Sequence, residues 1–198
     1  MRALASSGQE AAENLGGRQS GSEAWRSERG ELGLAAAGGD GDEAKKKKKK
    51  KGREYKLRDF VLRVSGENPP DEMGFCLFDG ETETKWLDFG FVETGSAFVE
   101  VEFAEARTLI SYEMTSANDE PPRDPSAWIL RGFPNGDGGE EVLHNVSETW
   151  RGFKARHMKY RFCLPSPRPC KRYRFEFVGV RDRSQANSIQ LAQINLNF

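Results

Sequence analysis

The chain is poor in the residues that staple small folds or bind metals. Its 198 residues include three cysteines, Cys76, Cys163 and Cys170, and two histidines, His144 and His157. An odd and small number of thiols is not a disulfide framework and reads as reduced cysteine in a cytosolic or nuclear setting. Cys163 and Cys170, on either side of a proline-rich turn, are the pair spaced to bridge. There is no C-x-x-C pair, so zinc-ligand spacing is missing. No run of about 20 apolar residues occurs, which excludes a membrane-spanning helix. Residues 1–34 also hold no apolar stretch of the ~7–15 residues a secretory signal needs, so export is not expected. A surplus of charge is missing too: 30 Lys and Arg face 31 Asp and Glu. Whole-chain electrostatics therefore give no reason to expect specific nucleic-acid binding.

What is present divides into two materials. Residues 1–51 carry 11 basic against 8 acidic side chains, and residues 52–198 carry 19 against 23. The first stretch is rich in Gly, Ala, Ser and Glu, with Trp25 as its one aromatic residue, and it cannot bury enough apolar surface to offset the entropy of ordering. It is read as a disordered tail. The tail ends in seven consecutive lysines, Lys45 to Lys51. Such a run can be a solvated linker, an import signal, or a contact for anionic lipid or nucleic acid. All 13 Phe lie after position 59, so the core belongs to residues 52–198.

From Tyr55 onward the hydrophobic pattern has period two. Residues 98–103, 158–162, 173–177 and 191–198 alternate apolar with polar side chains, which suits strands of a sheet with one wet face. Residues 59–64, 85–89, 109–115 and 128–133 are further strand candidates. Turn-forming stretches at 66–70, 118–125 and 134–139 separate them. About eight strands without a convincing helix of three turns predict an all-β fold, an antiparallel β-sandwich of jelly-roll type. Trp86, Trp128, Phe98, Tyr173, Phe175 and Phe177 read as its core. Arg123 and Asp124 read as pairing with each other or with backbone.

Three stretches, in order, resemble the factor V/VIII type C modules, also called discoidin-like or galactose-binding-like domains. They are Leu77-Phe78-Asp79-Gly80-Glu81-Thr82-Glu83-Thr84-Lys85-Trp86, the run from Thr115 to Leu130 containing Arg123-Asp124-Pro125-Ser126-Ala127-Trp128, and Ile189-Gln190-Leu191-Ala192-Gln193-Ile194. The resemblance implies a sugar-, lipid- or protein-binding module that uses loops at one end of the sandwich. It also implies a structural calcium near the early Asp-Gly loop, where Asp79 and Thr84 match the loop positions. Gln193 stands where calcium-binding members usually have Glu. Calcium favours several oxygen ligands, and the alternative is a turn held by hydrogen bonds. A similar run resembles modules at the ends of plant and algal peptide:N-glycanase-like polypeptides. This chain has no room for the transglutaminase-like catalytic core of such proteins.

The loops supply the candidate ligand contacts: Asn68, Asn135, and Trp150, Arg151, Phe153 and Arg156 in the stretch 148–156. There aromatics interleave with cations, so a ring beside an arginine can stack on a sugar or enter a membrane interface. The alternative is that Trp150 and Phe153 fold back to cap the sandwich. No nucleophile-elbow or phosphate-loop pattern occurs, and no Cys-His-Asp set follows from spacing. A non-catalytic module is expected. Its partner would be a glycan, a glycoprotein or another protein, with structural/adaptor or peripheral membrane binding as the alternative.

Overall fold

Alternation of side chains along a strand demands a sheet with one dry face, and the two most regular runs of the sequence become its centre. The computed structural model describes residues 52–147 and 150–198; the expected disordered tail, 1–51, lies outside the described residues. The strands are β1 (Arg53–Lys56), β2 (Val61–Val64), β3 (Trp86–Asp88), β4 (Ala97–Thr108), β5 (Ser111–Thr115) and β6 (Pro125–Phe133). They continue as β7 (Glu141–Val146), β8 (Lys159–Cys163), β9 (Pro169–Val180), β10 (Ile189–Leu191) and β11 (Gln193–Asn197). One short helix, α1 (Gly90–Thr94), precedes β4. Among the described residues no helix is long and apolar enough to cross a membrane.

Every pairing is antiparallel. The larger sheet runs β1-β2-β4-β9-β6-β7, and β11-β5-β8 and β10-β3 form the opposing layer. Tyr112 of β5 meets Phe175 of β9 with ring centroids 5.0 Å apart, Phe162 of β8 meets Trp128 of β6 at 5.0 Å, and Trp86 of β3 meets Phe177 at 5.9 Å. These rings, with Leu62, Val99, Val101 and Tyr173, are fully buried or packed between the layers. Each fully buried large side chain favours the folded state by roughly 1.5–3 kcal/mol. The fold is the antiparallel sandwich that the period-two pattern predicts.

The structure departs from the expectation in particular places. The terminal run 191–198 is two strands: the chain switches partner at Ala192, whose N–H donates to Thr115 O at 3.0 Å. Phe98 is half-buried on the outer face, because the alternation that turns Val99 and Val101 inward turns Phe98 outward with Glu100 and Glu102. Arg123 and Asp124 do not pair with each other. Arg123 donates to Asn187 Oδ1 at 2.9 Å, whereas Asp124 pairs with Arg156. Cys163 and Cys170 are both free; Cys170 points into the core while Cys163 is exposed.

On the outer face of the larger sheet the charged residues form a ladder. Glu100 lies 3.2 Å from Arg63, 3.3 Å from Arg174 and 3.8 Å from Arg172, and Arg63 also reaches Glu102 at 2.6 Å. Arg131 continues it to Glu176 at 2.9 Å.

Candidate functional site

The register decides which loops share an end. Val64 lies opposite Val99, Ala97 opposite Phe177, Pro125 opposite Val180, and Val146 opposite Trp128. The connections after β2, β7 and β9 and before β4 and β6 therefore gather at one end of the sandwich. The β6–β7 connection, which carries Asn135, is at the other end. Asn135 is thus set apart from the rest of the expected set: it is exposed, at the opposite end from Asn68 and Trp150.

A cleft of about 720 Å³ opens at the loop-rich end beside β2 and β4. Its floor is Asp88, at the end of β3, which is buried. One carboxylate oxygen accepts the Gly90 N–H at 2.7 Å and the other accepts the Ser65 hydroxyl at 2.5 Å. Ser65 Oγ in turn accepts the Phe98 N–H at 2.9 Å. Gly66 and Gly90 both press on this carboxylate, and a Cβ on Gly66 would collide with it. Trp86 closes the base by donating its indole N–H to Gly66 O at 2.7 Å.

Two rings and two ion-pairing arginines form the walls. Phe89 is 46% exposed, unusual for a large apolar side chain beside a buried strand. Phe98 carries the Arg174 guanidinium 4.0 Å above its ring centroid. Arg53 lies 3.5 Å from Glu67, whose carboxylate also accepts the Tyr55 hydroxyl and the Gly74 N–H. The cleft therefore joins an exposed aromatic surface to guanidinium donors within one concavity, with the buried Asp88 and Glu67 carboxylates fixing its backbone through their own hydrogen bonds.

The expected ligand residues are placed as follows. The Asn68 amide donates to Glu72 Oε2 at 2.6 Å, and the two residues also bridge through backbone, so Asn68 is committed to its own loop. Phe153 is fully buried and packs edge-on to Trp150 at 5.1 Å, so it cannot stack on a ligand; it fills core. Trp150 is partly buried, set at 5.2 Å from Trp128 and 5.6 Å from Tyr160. Arg156 donates to Ala117 O, Asp119 O and both oxygens of Asp124, so its donors hold loops together. Arg151 is exposed, and with Trp150 and Arg181 it lines a second, smaller notch. Glu148 and Thr149 of the same stretch lie outside the described residues.

Around Asp79 the donor set does not fit calcium. The Gln193 amide nitrogen lies 2.7 Å from Cys76 O, Asp79 Oδ1 and Glu81 O, and Gln193 Oε1 accepts the Gly80 N–H at 3.2 Å. Thr84 donates its hydroxyl to Asp79 Oδ2 at 2.7 Å, and the Glu81 N–H donates to Asp79 Oδ1 at 2.8 Å. An N–H donor thus stands among the oxygens that a cation would need, and each is already hydrogen-bonded. Among the described residues no cluster of three or more His, Cys, Asp and Glu is arranged to hold a metal ion.

The reactive residue types are also engaged elsewhere. Burial raises the Cys76 and Cys170 thiols above their ordinary values, opposite to the shift that activates a nucleophile. His144 Nδ1 lies 3.0 Å from Tyr112 Oη, and that hydroxyl accepts the Trp128 indole N–H at 2.8 Å. His157 Nδ1 lies 3.1 Å from Thr82 O.

Sequence reasoning missed the cleft residues Arg53, Asp88, Phe89 and Arg174. One signal was present: strict alternation sets Phe98 on the same face as Glu100 and Glu102, where a ring has no core to enter.

No family model matches the chain. The peptide-N(4)-(N-acetyl-beta-glucosaminyl)asparagine amidase of Arabidopsis thaliana is 32% identical over 134 residues, which are 67% of this chain and 18% of that protein. The chain therefore spans less than a fifth of the relative's length. Among solved structures, the F5/8 type C domain of a Bacteroides fragilis protein superposes with a TM-score of 0.59 at 16% identity, covering 74% of this chain and 96% of that one. The family 32 carbohydrate-binding module of Clostridium perfringens NanJ, in complex with galactose, gives 0.55 at 12% identity, covering 69% and 92%. The described strands thus have the discoidin-like, galactose-binding-like fold.

Proposed function

We propose that residues 52–198 are a non-catalytic module that binds glycan at the loop-rich end of the sandwich, in the cleft formed by Phe89, Phe98, Arg53, Arg174, Glu67 and Asp88. The observation that carries this reading is the exposed Phe89 ring in the same concavity as the Arg53 and Arg174 guanidinium groups. A pyranose has an apolar face and an equatorial fringe of hydroxyls. A ring can cover the first while guanidinium groups pair with the second.

The similar proteins support this choice. The NanJ module holds galactose, and the Arabidopsis relative is named for a linkage between N-acetylglucosamine and asparagine. We take the ligand class to be the sugars of N-linked glycans, presented on a glycoprotein. Catalysis is not part of the proposal, because neither buried thiol is activated and each histidine is held by a neighbour.

Titration of the full chain with galactose, mannose, N-acetylglucosamine and chitobiose, followed by amide chemical shifts, tests it. Binding should shift Phe89, Gly90 and Ser65, and Phe89→Ala should weaken it about tenfold through lost ring contact. The melting temperature should hardly change, since this ring is half outside the fold. Absence of binding at millimolar concentrations of all four sugars would overturn the reading. A second reading, peripheral membrane contact, draws on the exposed pair Phe89 and Val92 and on the lysine run. Co-sedimentation with anionic vesicles that is lost in Phe89→Ala, together with no sugar response, would favour it.

A further inference from the structure

The notch lined by Trp150, Arg151, Gly152, Ser126 and Arg181 is about 300 Å³ and lies at the same loop-rich end, between the start of β6, the end of β9 and the stretch 150–153. Its frame is rigid. Trp150 is set against Trp128, Phe153, Tyr160 and Phe162 at 5.1–5.6 Å between centroids. Arg181 is tied down by one guanidinium N–H donated to Phe153 O at 2.9 Å, and by its backbone N–H donated to Asp124 O at 2.8 Å. That leaves Arg181 four further N–H donors. Gly152 adopts φ 72, a left-handed conformation that glycine takes without strain, and a Cβ there would meet open space.

Charge around the notch is unbalanced. Asp124 has no exposed surface, and its charge is already matched by Arg156. The neighbouring acid, Asp119, is paired with Lys85 at 2.6 Å. Among the described residues Arg151 makes no ion pair or hydrogen bond, and Arg181, whose charge acts with that of Arg156 on the single buried carboxylate of Asp124, adds a second positive charge. Glu148, three residues before Arg151, lies outside the described residues. Two guanidinium groups, a hydroxyl and an indole rim in a small polar concavity are the chemistry that receives a tetrahedral or planar oxyanion.

We propose that this notch is an anion subsite, distinct from the Phe89 cleft, and that it takes a sulfate, phosphate or carboxylate group carried by an acidic glycan. The carrier rests on the glycan reading; the oxyanion rests on the arginines alone.

The test uses the full chain in a background in which Lys45 to Lys51 are replaced by glutamine, so that the run does not bind anions. The probes are galactose, galactose 6-sulfate and inorganic sulfate. Galactose 6-sulfate should bind about tenfold more tightly than galactose, the scale of one or two charge-assisted hydrogen bonds. It should shift the Gly152 amide and the Arg151 Nε–H. Arg151→Gln should remove that advantage and leave galactose affinity intact; Arg181→Lys, which keeps a charge and a donor to Phe153 O, should reduce it in part. The proposal is overturned if Arg151→Gln keeps the preference for the sulfated sugar, or if no preference exists once the lysines are neutralised. Shifts at Gly152 with inorganic sulfate, but none with the sulfated sugar, would overturn the glycan as carrier. Failure of the Phe89 cleft is read separately, in the response to galactose alone.

Discussion

Arg156 lays its guanidinium across both oxygens of Asp124, a carboxylate with no exposed surface, and so ties the 150–158 stretch to the loop that leads into β6. Removal of one partner of a buried pair leaves the other desolvated and uncompensated. Arg156→Ala should therefore destabilise the fold by about 3 kcal/mol, lowering the melting temperature by roughly 10 °C. Thermal or denaturant unfolding measures it, and a loss below about 1 kcal/mol would mean that solvent replaces the guanidinium.

The Gln193 amide does with two N–H groups what a cation does in an oxygen cage. Melting of the natural sequence should accordingly be the same in calcium and in chelator. Gln193→Glu exchanges that donor for a second carboxylate facing Asp79, so the variant should melt lower in chelator. It should then regain about 2–3 kcal/mol in calcium at a hundredfold excess over its dissociation constant. A variant whose melting ignores calcium would show that the cage cannot open to seven or eight ligands.

Burial holds His144 below the ordinary imidazole range. Folded, its neutral form is favoured, with Nδ1 3.0 Å from the Tyr112 hydroxyl, which is itself the acceptor for Trp128. The unfolded chain binds the proton more readily, so the stability this neutral ring confers is present above about pH 6.5 and is lost as pH falls. His144→Gln should lose less stability than the natural sequence between about pH 7.5 and about pH 5.5. Parallel pH slopes in urea unfolding would remove His144 from the acid response.

Gly66 is where the backbone approaches Asp88 too closely for any side chain. Gly66→Ala should displace the carboxylate from Ser65 and Gly90, costing about 1–3 kcal/mol and weakening sugar binding. Equal sugar affinity in the folded variant would separate Asp88 from the ligand.

Much of the architecture was legible because alternation is a local property. Phe98 to Phe103 and Tyr173 to Phe177 mark the strands β4 and β9 without knowledge of the partner, and Trp86 and Trp128 follow as core; that these two strands pair at the centre of the sheet comes from the structure. The site was less legible because it depends on which chain ends meet. Asn135 and Trp150 look equivalent in sequence, yet the register sends them to opposite ends. Arg156 reads as an exposed cation until the fold brings Asp124, 32 positions away, beneath it. Phe153 is buried though it belongs to no strand, since Trp150 and Tyr160 supply the walls. The resemblance pointed to Asp79, Thr84 and Gln193, which do converge, but as a hydrogen-bonded turn.

The ladder centred on Glu100 bears on how the chain finds its pairing. Sliding β4 by one residue against β2 or β9 would turn this carboxylate into the dry interior and Val99 or Val101 out to water, stranding three guanidinium groups at once. Misaligned sheets are thus penalised on both faces, and the long central strands have one frame in which rings and charges are satisfied together. The same frame seats the Arg174 guanidinium over the Phe98 ring, so the alignment that satisfies the ladder also sets one wall of the cleft at its end.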